Sequence, residues 1–128
     1  MDWYEMGHHH TGFLADLFLD SPTDIDCDTV ELKQLILNRQ SNRHNSPRIV
    51  FSKKDSHASF FLIYDPFTHH FYFLNRIDLP ISFSRSHSLS LPSIRKLAYL
   101  DTDDSVTVLR EFQHLVPHPE RYLKSGLV

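Results

Sequence analysis

Histidine is the first residue type to weigh for chemistry. The chain has ten, and seven of them fall in groups: His8, His9 and His10, then His69 and His70, then His114 and His118. A zinc site needs three or four ligands converging at about 2 Å. His114 and His118 have the i, i+4 spacing that puts two rings on one helix face, but Pro117 lies between them and breaks a helix there. Adjacent histidines on a strand point to opposite faces, so His69 and His70 do not readily share one ion. No Glu stands where the H-E-x-x-H arrangement needs it. The acid-rich stretch 24–28 lacks the glycine and the spaced ligands of a calcium loop. These histidines read as structural or surface groups, and neither a metal nor another cofactor is expected.

Nucleophilic chemistry is no better supported. Cys27 sits among Asp24, Asp26 and Asp28, whose charges disfavour a thiolate. There is no G-x-S-x-G elbow. With three glycines in the whole chain, a phosphate cradle built from backbone amides is not expected. The chain therefore reads as a non-enzyme, with a His-dependent metal enzyme as the third reading.

Charge is segregated along the chain. Residues 1–29 hold seven acids (Asp2, Glu5, Asp16, Asp20, Asp24, Asp26 and Asp28) and no Lys or Arg. Residues 31–54 hold six bases against the single acid Glu31. In the acidic part, Phe13, Leu14, Leu17 and Phe18 form an apolar stripe at helical spacing, and Trp3 and Tyr4 precede it. An acidic amphipathic helix of this kind lies in a partner's groove or folds back on its own core. Trp3, Tyr4, Phe13, Leu14, Leu17 and Phe18 are thus the candidate partner-binding residues. In the basic part, Arg39, Arg43, Arg48, Lys53 and Lys54 are candidates for phosphate contacts in a nucleic-acid module, the second reading. The acidic arm also suits the basic segment of a second copy, which makes a homo-oligomer an expectation.

Elements must position these residues. The stretch 57–84 is the most apolar and aromatic. Phe60–Tyr64 and Phe71–Leu74 are apolar on both faces and flank the turn-rich loop 65–70, so they read as a covered hairpin. Ile77, Leu79, Ile81 and Phe83 alternate with polar residues, which predicts a third, one-sided strand, with Pro80 placing it at an edge or bulge. Residues 48–52 read as a short strand, and 53–56 as a turn. A helix is expected over 12–19 and another over 29–39, where Leu32, Leu35 and Ile36 share a face. The polar stretch 40–47 is a loop. Ser90 or Leu91 opens a helix with Pro92 in its first turn, after a Ser-rich loop. Residues 101–104 form an acidic turn. Val108, Phe112 and Val116 favour a helix over 105–116 capped by Asp104, against the β-branched run Val106–Val108. A helical turn is expected at 120–124.

The totals bound the class. At 128 residues, 41% hydrophobic and 23% charged, the chain suits a small globular domain. The fold expected is α+β: a three- to four-stranded antiparallel meander flanked by N-terminal and C-terminal helices. Residues 1–10 read as an irregular arm and 11–128 as one domain. A single cysteine makes a reducing, intracellular setting the expectation, cytoplasmic or nuclear. The first dozen residues lack the basic-then-apolar order of a secretory leader, and no apolar run reaches membrane-span length. Net charge of −3 gives no global pull towards nucleic acid or membrane. The function expected is protein–protein binding, as a regulator, inhibitor or adaptor, a size and style that also suit a viral or mobile-element accessory protein.

Overall fold

The computed structural model describes residues 29–37 and 47–121. Seven strands are present there: β1 (Val30–Gln34), β2 (Ile36–Leu37), β3 (Pro47–Phe51), β4 (Phe60–Asp65), β5 (His70–Asn75), β6 (His87–Ser90) and β7 (Leu100–Thr102). Two α-helices follow the central hairpin, α1 (Leu91–Leu97) and α2 (Ser105–Leu115). The strands form a four-stranded sheet, order β1-β4-β5-β7, and a three-stranded sheet, order β2-β3-β6. The fold is mixed α and β, as expected, with a small sheet at its centre.

The expected hairpin is present. β4 and β5 pair antiparallel from Phe60 with Asn75 to Asp65 with His70. Their side chains alternate between two cores. Leu62, Tyr64, Phe71 and Phe73 join Val30 under Val108, Phe112 and Val116. Phe61, Ile63, Tyr72 and Leu74 join Leu35, Ile49, Phe51 and Ile94 on the opposite face. That is why both runs are apolar throughout. Each such ring or branched chain removed from water contributes roughly 1.5–3 kcal/mol, and the edge-on contact of Phe51 with Phe61 at 5.0 Å adds to it. The hairpin loop is closed by the buried Asp65, which accepts from the Phe67 amide (2.9 Å) and the Thr68 hydroxyl (2.7 Å). Burial, with the Asp65 charge behind it, pushes the Tyr64 phenol up to about 12.

Several expectations are corrected. The helix expected over 29–39 is strand β1 and then β2 in the described part, residues 29–37. Val30 and Leu32 pack on the α2 side, Glu31 and Lys33 point to the other face, and pairing with β4 supplies the backbone partners. That pairing is parallel, so the sheet is mixed and not an antiparallel meander. Leu35, fully buried, gives its amide to the Tyr64 carbonyl at 2.9 Å where the chain passes from one sheet to the other.

The third strand is absent. Residues Arg76–Asp78 form a 3-10 turn capped by Asn75, whose side chain accepts from the Ile77 amide (3.2 Å). Leu79, Ile81 and Phe83 still pack inward on the second core, but without a ladder. The Ser-rich loop instead yields β6, which pairs antiparallel with β3, and the acidic turn gives its first two residues to β7. The turn over 53–56 is a 3-10 helix, Lys53–His57; a 3-10 turn at Pro119–Arg121 meets the turn expected at 120–124 as far as 121, and 122–124 lie outside the described residues. Helix α2 lies where the apolar spacing predicts it, with Asp104 accepting from the Thr107 amide (3.2 Å) and hydroxyl (2.7 Å). The α-helices that are described therefore lie C-terminal to the hairpin. The helix expected over 12–19, the arm 1–10 and the loop 40–46 lie outside the described residues. Among the described residues no helix is long and apolar enough to cross a membrane.

Candidate functional site

Two clusters of polar groups stand out among the described residues. The first is built on the 3-10 helix Lys53–His57. Its Asp55 is almost wholly buried, with a side chain 1% exposed. Asp55 Oδ2 accepts from the Ser52 amide (2.8 Å), the reciprocal contact of a capping box. It also pairs with Lys33 Nζ at 3.1 Å. Lys33 Nζ further donates to the Val50 carbonyl (3.0 Å) and sits 5.6 Å from the centre of the Phe51 ring. The pair ties the turn to β1 and β3, and leaves Lys53 and Lys54 on the surface.

Arg76 comes to the same corner from the end of β5. Its amide donates to the Ser59 carbonyl (3.0 Å) and its guanidinium Nη1 to the Ser56 carbonyl (2.6 Å). His57 Nδ1 donates to the Lys54 carbonyl (2.6 Å), which leaves Nε2 facing Glu31 Oε2 at 3.7 Å. Burial raises the Glu31 carboxyl above its ordinary range, and the Asp55 charge raises it further, against the pull of Lys33, His57 and Lys54. Beside Arg76 stands Ile77, 83% exposed. Lys53, Lys54 and Arg76 thus make a basic corner, with the exposed Ile77 beside Arg76 and the exposed Asp78 following it.

The second cluster lies between β5, β7 and α1. His70 Nδ1 donates to Asp101 Oδ1 at 2.7 Å, and the His70 ring stacks near Tyr72 (6.0 Å). Arg95 Nε donates to the Tyr72 hydroxyl at 3.3 Å. That bond, with the nearby Asp65 and Asp101 charges, holds the guanidinium still more firmly in its charged form. Pro92, Ser93, Arg95 and Lys96 line an open hollow of about 470 Å³ on the outer side of α1. A histidine on a carboxylate can shuttle protons, but this pair is open to solvent. Among the described residues no group of three or more His, Cys, Asp or Glu side chains is placed to hold a metal ion.

Of the residues singled out from the sequence, Lys53 and Lys54 stand together in the basic corner. Arg48 is engaged elsewhere: its Nη1 donates to Ser88 Oγ (2.8 Å) across β3 and β6. Arg39, Arg43, Trp3, Tyr4, Phe13, Leu14, Leu17 and Phe18 lie outside the described residues. The corner residues missed from the sequence are Arg76 and Ile77. The alternating pattern puts Ile77 on the apolar face of a strand that does not form, and nothing in the local pattern joins Arg76 to Ser56. No protein family, no curated protein and no solved structure matches this chain.

Proposed function

We propose that this protein is a non-catalytic binding module, a regulator, inhibitor or adaptor that works by engaging another protein. The observation that carries the reading is the basic corner, where the exposed Ile77 stands beside Arg76 and the 3-10 helix bearing Lys53 and Lys54. Apolar anchors ringed by charge are the usual make-up of a protein interface. The partner surface that suits it is acidic with an apolar notch. The acidic arm with Phe13, Leu14, Leu17 and Phe18, preceded by Trp3 and Tyr4, is the second contact element of the same reading.

A nucleic-acid reading draws on the same Lys53, Lys54 and Arg76, and the two differ in what Ile77 does. Affinity from phosphates falls steeply with salt, because counterions are released. Apolar contact does not. The test is capture from the native host at low and high salt, with protein and nucleic acid quantified for the native chain, for Ile77→Asp and for Lys53→Glu/Lys54→Glu. A protein held at high salt and lost in Ile77→Asp supports the proposal. Nucleic acid that is lost at high salt, with Ile77→Asp unchanged, replaces it with the second reading.

A further inference from the structure

The four-stranded sheet ends at β7, which pairs with β5 and has no strand on its far side among the described residues. The Tyr99 amide donates to the Phe73 carbonyl (3.1 Å), so the pairing begins one residue before β7 and the open edge runs over 99–102. Unpaired strand edges recruit other strands unless they are blocked. This edge carries no proline and no lysine. Tyr99 is 46% exposed at its start, with its ring near Phe60 (6.2 Å) and Phe73 (6.3 Å).

The charge along the edge is polar in one direction. Before it come the exposed Arg95 and Lys96 of α1. After it come the exposed Asp103 and Asp104, and the Thr107 hydroxyl and amide hold the Asp104 carboxyl below its ordinary range, so it stays charged. Base at one end and acid at the other is self-complementary under a two-fold axis, because antiparallel pairing lays each end on the opposite end of its mate. The register is constrained as well. Centred on Asp101, it would set two carboxylates directly across from each other, which is destabilising. Centred on Leu100, it keeps the two Asp101 residues apart and turns the Lys96 end of each copy towards the Asp103 end of the other.

We propose that β7 is a homodimer edge: two copies pair β7 to β7 in antiparallel register about Leu100, closed at both ends by Arg95 and Lys96 against Asp103 and Asp104 of the second copy. The edge is short, so the dimer is weak, salt-sensitive and concentration-dependent. The occupant is a second copy because its charge order answers that of the first.

Sedimentation of the full chain over a range of concentrations tests this. A monomer–dimer equilibrium that shifts towards monomer in high salt is expected. Lys96→Asp and Asp103→Lys, both at exposed positions, each weaken it by about tenfold, and the two together restore it. Circular dichroism confirms that each variant is folded. Three results overturn the proposal: a monomer at every concentration, a dimer indifferent to either reversal, or a double variant that stays weak. A dimer lost in Lys53→Glu/Lys54→Glu but kept in Lys96→Asp also overturns it, since it would place self-association at the basic corner.

Discussion

Replacing Lys33 with methionine isolates the pair that holds the basic corner. Lys33 Nζ and Asp55 Oδ2 are 3.1 Å apart, with side chains 14% and 1% exposed. At an effective dielectric of about 20, a separation of that size corresponds to roughly 5 kcal/mol of gross attraction. Most of it is offset by the cost of taking both charges out of water. The net worth of the pair is therefore small, but the cost of breaking it is not. Methionine fills the space of the lysine stem and leaves the Asp55 carboxylate buried. It then has the Ser52 amide and hydroxyl on Oδ2, while Oδ1 has no hydrogen-bond partner among the described residues in the native protein either. Removing one member of such a pair costs about 3–5 kcal/mol. The lower end applies here, because Lys33 retains some contact with solvent.

Chemical denaturation with matched slopes gives the measurement. Lys33→Met is expected to lose about 3 kcal/mol, and Lys33→Met/Asp55→Leu much less, because the double variant leaves no buried charge. In a chain of this size the single variant melts roughly 10 °C lower. A loss below about 1 kcal/mol in Lys33→Met, or a double variant no better than the single, refutes the reasoning. The pair would then not be what holds the turn, and the capping contact from Ser52 and the Arg76 bond to the Ser56 carbonyl would carry the corner.

Three further outcomes follow from the same geometry. Glu31 carries a carboxyl raised by burial and by Asp55, so its contribution is fully present below the ordinary carboxylate range and is lost as pH rises through its folded value. Glu31→Gln should then gain stability over the native chain at neutral pH and show no gain in acid, read from melting curves across pH. Asp104 is lowered by its bonds to Thr107, the opposite sign: Asp104→Ala should lower the melting temperature at neutral pH, with the difference fading as pH falls through the folded value. Phe112 is fully buried on α2 among Val30, Leu62, Tyr64, Phe71 and Phe73, and Phe112→Ala should cost about 3–5 kcal/mol by denaturation, whereas Val106→Ala on the exposed side of α2 should stay within about 0.5 kcal/mol.

What the sequence discloses depends on where the deciding contact lies. The hairpin is legible because Phe60–Tyr64 and Phe71–Leu74 are apolar on both faces and Asp65-Pro66 marks the break between them. Helix α2 is legible because Val108, Phe112 and Val116 recur every four residues behind the cap Asp104. β1 is not, because Leu32, Leu35 and Ile36 suit a helix face as well as they suit a bent strand, and Glu, Leu, Lys and Gln favour helix locally. Its state is decided by parallel pairing with β4, far along the chain. β6 is hidden by its serines, whose place in the fold comes from register with β3. The site follows the same division: Lys53 and Lys54 announce themselves by charge, but Arg76 joins them through the Ser56 and Ser59 carbonyls, contacts with no local trace.

The two proposed surfaces draw on different parts of the sheet, and this has a consequence for binding strength. The corner is built on the turn before β4, on Lys33 of β1 and on the residues after β5. The dimer edge uses only β7 and the ends of the segments beside it, so pairing two copies leaves both corners unpaired. A dimer then presents two corners to a partner that offers repeated acidic sites, and the second contact forms at a high effective concentration. Lys96→Asp, which alters no residue of the corner, should therefore weaken capture on a surface densely coated with the partner and leave binding of a single partner molecule in solution unchanged. Equal losses in both formats would mean that Lys96 touches the partner itself, and the two surfaces would have to be treated as one.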